Sequence, residues 1–160
     1  MGISISLQQY LDSNDVEYET LKHKKTSTAL NTAEVTHLPG REMAKAVVVK
    51  RRKGYLMAIV PASRNVDLSM LGGWLKQTIA LATEDEIKDL FPDCDTGAIP
   101  ALGAPFGIKS VIDENLTGLK DIYFEAGDHQ TVVHLSGNEF DRLTARWPHN
   151  ECSKRLENRF

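Results

Sequence analysis

Cysteine is scarce in this chain, with only Cys94 and Cys152 in 160 residues. They are far apart and neither belongs to a Cys-x-x-Cys pair, so the common thiolate frameworks for zinc binding and dithiol redox chemistry are missing. Both are expected to be free thiols. No apolar run approaches the ~18 residues that a membrane span needs, and Met1–Tyr10 lacks the basic-then-apolar order of a signal peptide. A cytosolic (cytoplasmic) protein without a membrane partner is expected. Also absent are a Gly-x-Ser-x-Gly elbow, a Walker loop and a Gly-x-Gly-x-x-Gly turn, so serine-hydrolase, P-loop and dinucleotide chemistries have no local signature. The formal charge is −3, whereas proteins that wrap duplex DNA neutralise many phosphates and are basic overall. No DNA partner is expected.

What is present suffices for one globular core, since 41% of the residues are hydrophobic and 26% charged. Residues 1–148 are read as a single domain and 149–160 as a polar, frayed C-terminal tail. Leu7, Tyr10 and Leu11 fall at helical spacing over residues 6–14, with Ser6 as the cap, and Val16–Leu21 reads as a short strand. A helix is predicted around Thr28–Val35. Residues 44–50 and 55–60 are β-rich and flank Arg51-Arg52-Lys53-Gly54, the pattern of a hairpin central to the sheet. Val66–Lys76 reads as helical, and Thr83-x-x-Glu86 is a capping box for a helix ending near Phe91-Pro92. Strands are predicted at Ile108–Asp113, Ile122–Glu125 and Thr131–Leu135, before a helix that Ser136-x-x-Glu139 caps and that runs to about Arg146. This irregular interleaving favours an α+β fold with a mixed sheet over a doubly wound one.

Chemistry concentrates at three places. Residues 97–103 hold two glycines and a proline between predicted elements, a composition that lets backbone amides approach a ligand or a developing oxyanion. Lys45 is expected to share a strand face with Val47 and Val49, leaving an ammonium at the edge of an apolar surface. His129 ends the turn Ala126-Gly127-Asp128-His129, where side chains converge on a site mouth. His134, five residues on, should face the opposite way, and His23 and His37 have no ligand-like neighbours, so no metal site is expected. Asp113-Glu114 reads as a strand-end turn. Cys94 lies between Asp93 and Asp95, whose charges oppose a thiolate. The clusters Lys22-His23-Lys24-Lys25 and Lys50-Arg51-Arg52-Lys53 can each meet a few phosphates at a nucleic-acid end.

Several blocks then follow one another in a recognisable order: Ala44-Lys45-Ala46-Val47-Val48-Val49, Val60-Pro61-Ala62-Ser63, Asp67-Leu68, Leu90-Phe91-Pro92-Asp93-Cys94, the 97–103 loop, Val111-Ile112-Asp113, and Ile122-Tyr123-Phe124-Glu125-Ala126-Gly127-Asp128-His129. In this order the chain resembles the YbaK family over residues 3–146, a family that includes the editing insertion domain of bacterial prolyl-tRNA synthetases. The resemblance implies an α+β fold with a curved, partly barrel-like mixed sheet flanked by helices. It also implies a free-standing deacylase that hydrolyses mischarged aminoacyl-tRNA in trans.

By the same resemblance the essential lysine is Lys45, and the family's Gly-x-x-x-Pro loop falls on Gly97–Ala101. Here the sequence departs from the pattern, with Ala101 at the final position and Pro100 before it, which bears on substrate choice. Lys45, Gly97 and His129 are the expected catalytic residues, with His129 orienting water. His23, Ala98, Ile99, Pro100, Ala101, Gly103 and Gly127 are expected around the substrate, with no cofactor and no metal. The implied partners are the acceptor end of an aminoacyl-tRNA and, as a further candidate, an aminoacyl-tRNA synthetase. The apolar loop residues suggest a small esterified amino acid: alanine, serine, threonine or cysteine. Two other classes stand beside this reading: a non-catalytic module that binds a tRNA end, a nucleotide or a protein, and a cysteine-dependent hydrolase using Cys94.

Overall fold

The computed structural model describes residues 2–156. In chain order the elements are α1 (Ile5–Ser13), β1 (Glu19–Lys22), α2 (Ala29–Thr36), β2 (Met43–Lys50), β3 (Tyr55–Pro61), β4 (Arg64–Val66), α3 (Leu68–Leu75), β5 (Ala80–Leu81) and α4 (Glu84–Leu90), then β6 (Lys109–Asp113), β7 (Asp121–Glu125), β8 (Thr131–Ser136), α5 (Gly137–Thr144), β9 (His149–Asn150) and β10 (Ser153–Arg155). Single-turn helices at Ala104–Phe106 and Glu114–Leu116 flank β6. Each longer helix starts where a side-chain oxygen accepts a backbone N–H, at Ser4, Thr28, Asp67, Thr83 and Ser136. The capping box at Thr83 and Glu86 is complete. The first helix opens at Ser4 rather than at Ser6. Asp93 accepts from both Ser4 Oγ (2.9 Å) and Ser6 N (2.8 Å), which fixes that entry and lets Leu7 and Leu11 bury fully.

The main sheet runs β1-β8-β7-β2-β3-β6-β9, with β5 added to β2, while β4 and β10 form a separate ladder. The β2–β3 hairpin is central, as its apolar content requires, and closes where Arg51 N donates to Gly54 O. β2 runs parallel to β7, and β3 parallel to β6, so the sheet is mixed. Among the described residues its path has free edges at β1 and β9 and does not close into a barrel. One face packs Val48, Met57, Ile59, Ile122 and Phe124 against α1 and α5, and the other packs Val49, Leu56 and Val60 against Leu71 of α3.

The C-terminal stretch departs from the frayed tail read in the sequence. Cys152 and Ser153 are buried, β9 pairs with β6, and β10 pairs with β4. The anchor is Asp113, whose carboxylate accepts from Cys152 N (2.9 Å) and Ser153 Oγ (2.8 Å) as well as from Asn115. Burial alone would raise the Asp113 pKa, and these hydrogen bonds outweigh it and hold the carboxyl below its ordinary value. Residues 157–160 lie outside the described residues.

Candidate active site

The site is created by a split between two parallel strands. β2 and β7 pair only at Met43–Tyr123 and Ala44–Phe124, and β5 joins the same edge of β2 only from Val49 onward. Between them, from Lys45 to Val47, no strand pairs with this edge of β2, and Ala82 N, just past β5, donates to Val48 O. A cavity of about 300 Å³ occupies the gap, lined by Ser27, Thr28, Ala29, Lys45, Ala46, Val48, Ile87, Gly97, Ile99 and Glu125. Continuing the parallel register one step beyond Ala44 and Phe124 makes Lys45 and Glu125 counterparts, each the first residue past the last pair on its own strand.

Lys45 is half-buried, and burial lowers its pKa from the ordinary 10.5. Among the described residues it makes no ion pair within 4 Å. The cavity joins Lys45 to Ala46 and Val48, while Val47 and Val49 pack on the α3 side with Leu71. Gly97 has φ +87°, and a Cβ there would stand 3.0 Å from Ser27 O and 3.1 Å from His129 Cε1. Only glycine fits that place without displacement.

His129 stands behind Gly97 and is not among the residues that line the cavity. It adopts φ +63°, and its Nε2 lies 2.6 Å from Thr96 O. A carbonyl oxygen can only accept, so Nε2 carries the proton and the ring ties the loop to the turn. His23 is fixed in the same way, with Nδ1 2.6 Å from Lys24 O. The residue missed by sequence reasoning is Glu125. It is 3% exposed, and its Oε1 accepts from Thr32 Oγ1 at 2.5 Å, with Thr26 Oγ1 a further 2.5 Å from that hydroxyl. Burial pushes the carboxyl pKa up, while the Thr32 hydrogen bond and the nearness of His23 and His129 pull it partly back. The signal for it was its register opposite Lys45, and register cannot be read without the pairing.

The remaining expected site residues are dispersed. Ala98, Pro100 and Ala101 are buried, and Ala101 packs into the main core with Leu102 and Ile108, so the loop's departure from the family pattern falls in packing and not at the cavity. Gly103 donates to Ser110 Oγ at 3.0 Å and is crowded by Ile108 O, a structural position. Gly127 borders a second cavity of about 500 Å³ together with Ser4, Asp93, Cys94, Asp95 and Asp128. There burial, with Asp93 beside it, pushes the Cys94 thiol up to about 12, which leaves no useful thiolate near neutrality. His134 stacks on Tyr123 at 4.5 Å and its Nε2 lies 2.9 Å from Asp121, remote from this chemistry. Among the described residues no three His, Cys, Asp or Glu side chains gather as a metal-ligand set, and no helix is long and apolar enough to cross a membrane.

A small α+β domain whose mixed sheet divides over a lysine, with a glycine loop across the gap, is the class that fold and site define. The chain belongs to the aminoacyl-tRNA editing domain family, which matches residues 23–143. It is 32% identical over 116 residues to a proline–tRNA ligase of Fervidobacterium nodosum, covering 72% of this chain and 20% of that protein. It is 26% identical over 132 residues to a proline–tRNA ligase of Thermosipho africanus, covering 82% and 23%. The chain thus spans about a fifth of the length of these curated relatives. Among solved structures, a candidate trans-editing enzyme for prolyl tRNA synthetase superposes with TM-score 0.79 at 18% identity, over 96% of this chain and 97% of the other. A hypothetical protein superposes with TM-score 0.82 at 18% identity, over 93% and 99%. At that identity these two likenesses concern the fold.

Proposed function

We propose that this chain is a hydrolase that deacylates mischarged aminoacyl-tRNA in trans, acting on a small amino acid such as alanine, serine, threonine or cysteine. The observation that carries the reading is the 300 Å³ cavity in which a half-buried lysine meets a glycine loop at positive φ. Ester hydrolysis passes through a tetrahedral oxyanion, and preorganised donors in a confined site stabilise that charge far better than water does. Lys45 supplies the cation, for the ester carbonyl oxygen or the adjoining phosphate, and the Gly97 loop supplies backbone N–H groups. His129 is the positioning residue that holds the loop through Thr96. Ile99, Ile87 and Val48 restrict the side chain that fits, and size exclusion of this kind rejects larger amino acids more strongly than it ranks smaller ones.

The ester terminates an RNA strand, so the protein also needs purchase on phosphates. Arg51, Arg52, Lys53 and Lys76 border an open groove at the β2–β3 turn. It lies six residues from Lys45, about 20 Å along an extended strand. The test is a deacylation panel of tRNAs charged with alanine, serine, threonine, cysteine and larger amino acids, run with the full chain in the cytoplasmic pH range. Release of small amino acids supports the reading. Tight binding of charged tRNA with no release at all would replace it by the non-catalytic binding module.

A further inference from the structure

Three buried side-chain atoms near the cavity have no hydrogen-bond partner among the described residues: Glu125 Oε2, His129 Nδ1 and His23 Nε2. Their chemistry is uniform. Since His129 Nε2 and His23 Nδ1 are each committed as donors to a carbonyl, the opposite nitrogens of the neutral rings carry lone pairs. Glu125 Oε2 is a carboxylate acceptor, and its partner oxygen is already held by Thr32. Both imidazoles are near enough to Glu125 to affect its charge. Glu125 Oε2 is thus a buried acceptor without a donor on the wall of the Lys45 cavity, a state that a folded protein normally avoids and that needs an explanation. Lys45, the one ammonium of the same cavity, forms no ion pair with Glu125 within 4 Å although the two strands bring them into register.

We propose that Glu125 forms a subsite for a primary ammonium, filled by the α-ammonium of the esterified amino acid. The proposal rests on the deacylase reading for the identity of its ligand. An alkylammonium brings three N–H donors and a positive charge, which match a buried carboxylate with one free oxygen. The cavity then presents opposite charges to the two ends of an aminoacyl ester: Lys45 toward the carbonyl and phosphate, and Glu125 toward the amine. An ester without the free amine, such as an N-blocked or hydroxyacyl ester, leaves the Glu125 carboxylate unsatisfied and is rejected.

The test measures binding, so it does not depend on turnover. Three non-hydrolysable nucleoside amides are titrated calorimetrically against the full chain: 3′-alanylamino-3′-deoxyadenosine, its N-acetyl derivative, and the lactyl amide in which a hydroxyl replaces the amine at equal size. The alanyl compound should bind tighter than the lactyl compound by about tenfold or more, the scale on which a charge-assisted hydrogen bond discriminates. In Glu125→Gln that ratio should shrink to less than about threefold, while Lys45→Ala should weaken both compounds together. Equal affinity of the wild-type protein for alanyl and lactyl compounds overturns the proposal, as does a ratio that persists in Glu125→Gln or a failure of all three to bind. If Glu125→Gln does not fold, the wild-type alanyl-to-lactyl ratio decides alone. A protein that prefers the alanyl compound but releases no amino acid from charged tRNA keeps the subsite and loses the deacylase reading. One that deacylates and binds both compounds equally does the reverse.

Discussion

Two cavities flank the turn from Ala126 to His129, and they differ in nearly every respect that matters to chemistry. The one near Cys94 is larger, about 500 Å³, and gathers Asp93, Asp95 and Asp128. Its thiol, on Cys94, has a pKa that burial has raised to about 12. The one at Lys45 is smaller, about 300 Å³, and holds a half-buried cation, a buried carboxylate with one unpaired oxygen, and a glycine whose φ is positive. Volume alone would favour the cavity near Cys94 over the one proposed to react. The proposal for the smaller cavity rests on groups kept in states that the surrounding fold would otherwise avoid, a desolvated lysine and an incompletely paired glutamate.

The comparison breaks first at Lys45. Lys45→Ala should reduce kcat/KM for deacylation by ~100-fold or more, on the scale of removing a strong transition-state interaction, with an unchanged circular-dichroism melting curve. Near-wild-type turnover would move the chemistry out of this cavity. A second, smaller effect is expected at Gly97, where an added methyl meets Ser27 O and the His129 ring and occupies φ +87°. Gly97→Ala should lower kcat by about tenfold to a hundredfold, since a loop misplaced by less than an ångström forfeits much of its orientation advantage. Wild-type kcat in that variant would show that the loop amides do not touch the reacting carbonyl.

Next in size is the basic groove. Arg51→Ala with Arg52→Ala should raise KM for charged tRNA a few-fold and flatten the slope of log affinity against log salt by about 0.7 for each phosphate that is no longer neutralised, leaving kcat intact. An unchanged salt slope would place the RNA elsewhere on the surface. Smallest of all is the expected effect in the larger cavity. Cys94→Ser should change kcat/KM by less than about twofold, because a thiol this far from ionisation contributes no nucleophile, and thiol alkylation should be equally silent. Loss of activity in Cys94→Ser would reverse the roles of the two cavities.

Local grammar made much of the fold legible. The helix near Thr28, the caps at Thr83 and Ser136, the Arg51–Gly54 turn and the apolar runs of β2 and β3 depend on neighbours a few residues away. What escaped depends on distant pairing. Residues 149–155 look polar because their fixing contact is Asp113, about forty residues back, which reads as a mere strand-end turn. Of the site, Lys45, Gly97 and Ile99 do share a cavity, yet nothing in the local sequence around Glu125 marks it as their neighbour. Ala101 and Gly127 group with the site only because they are close to it in sequence. The chain reverses at Gly97 and again at Gly127, and each reversal carries the following residues elsewhere.

The short contact between β2 and β7 also sets a dimension. Two strands that join over two residues and then part behave like a zip fastener stopped partway, and the stop determines how deep the opening runs. Each further pair would close about 3.3 Å of it, close to the length of two or three bonds in an aliphatic side chain. Moving the stop one residue up or down would therefore change the size of the opening without any change in the helices around it.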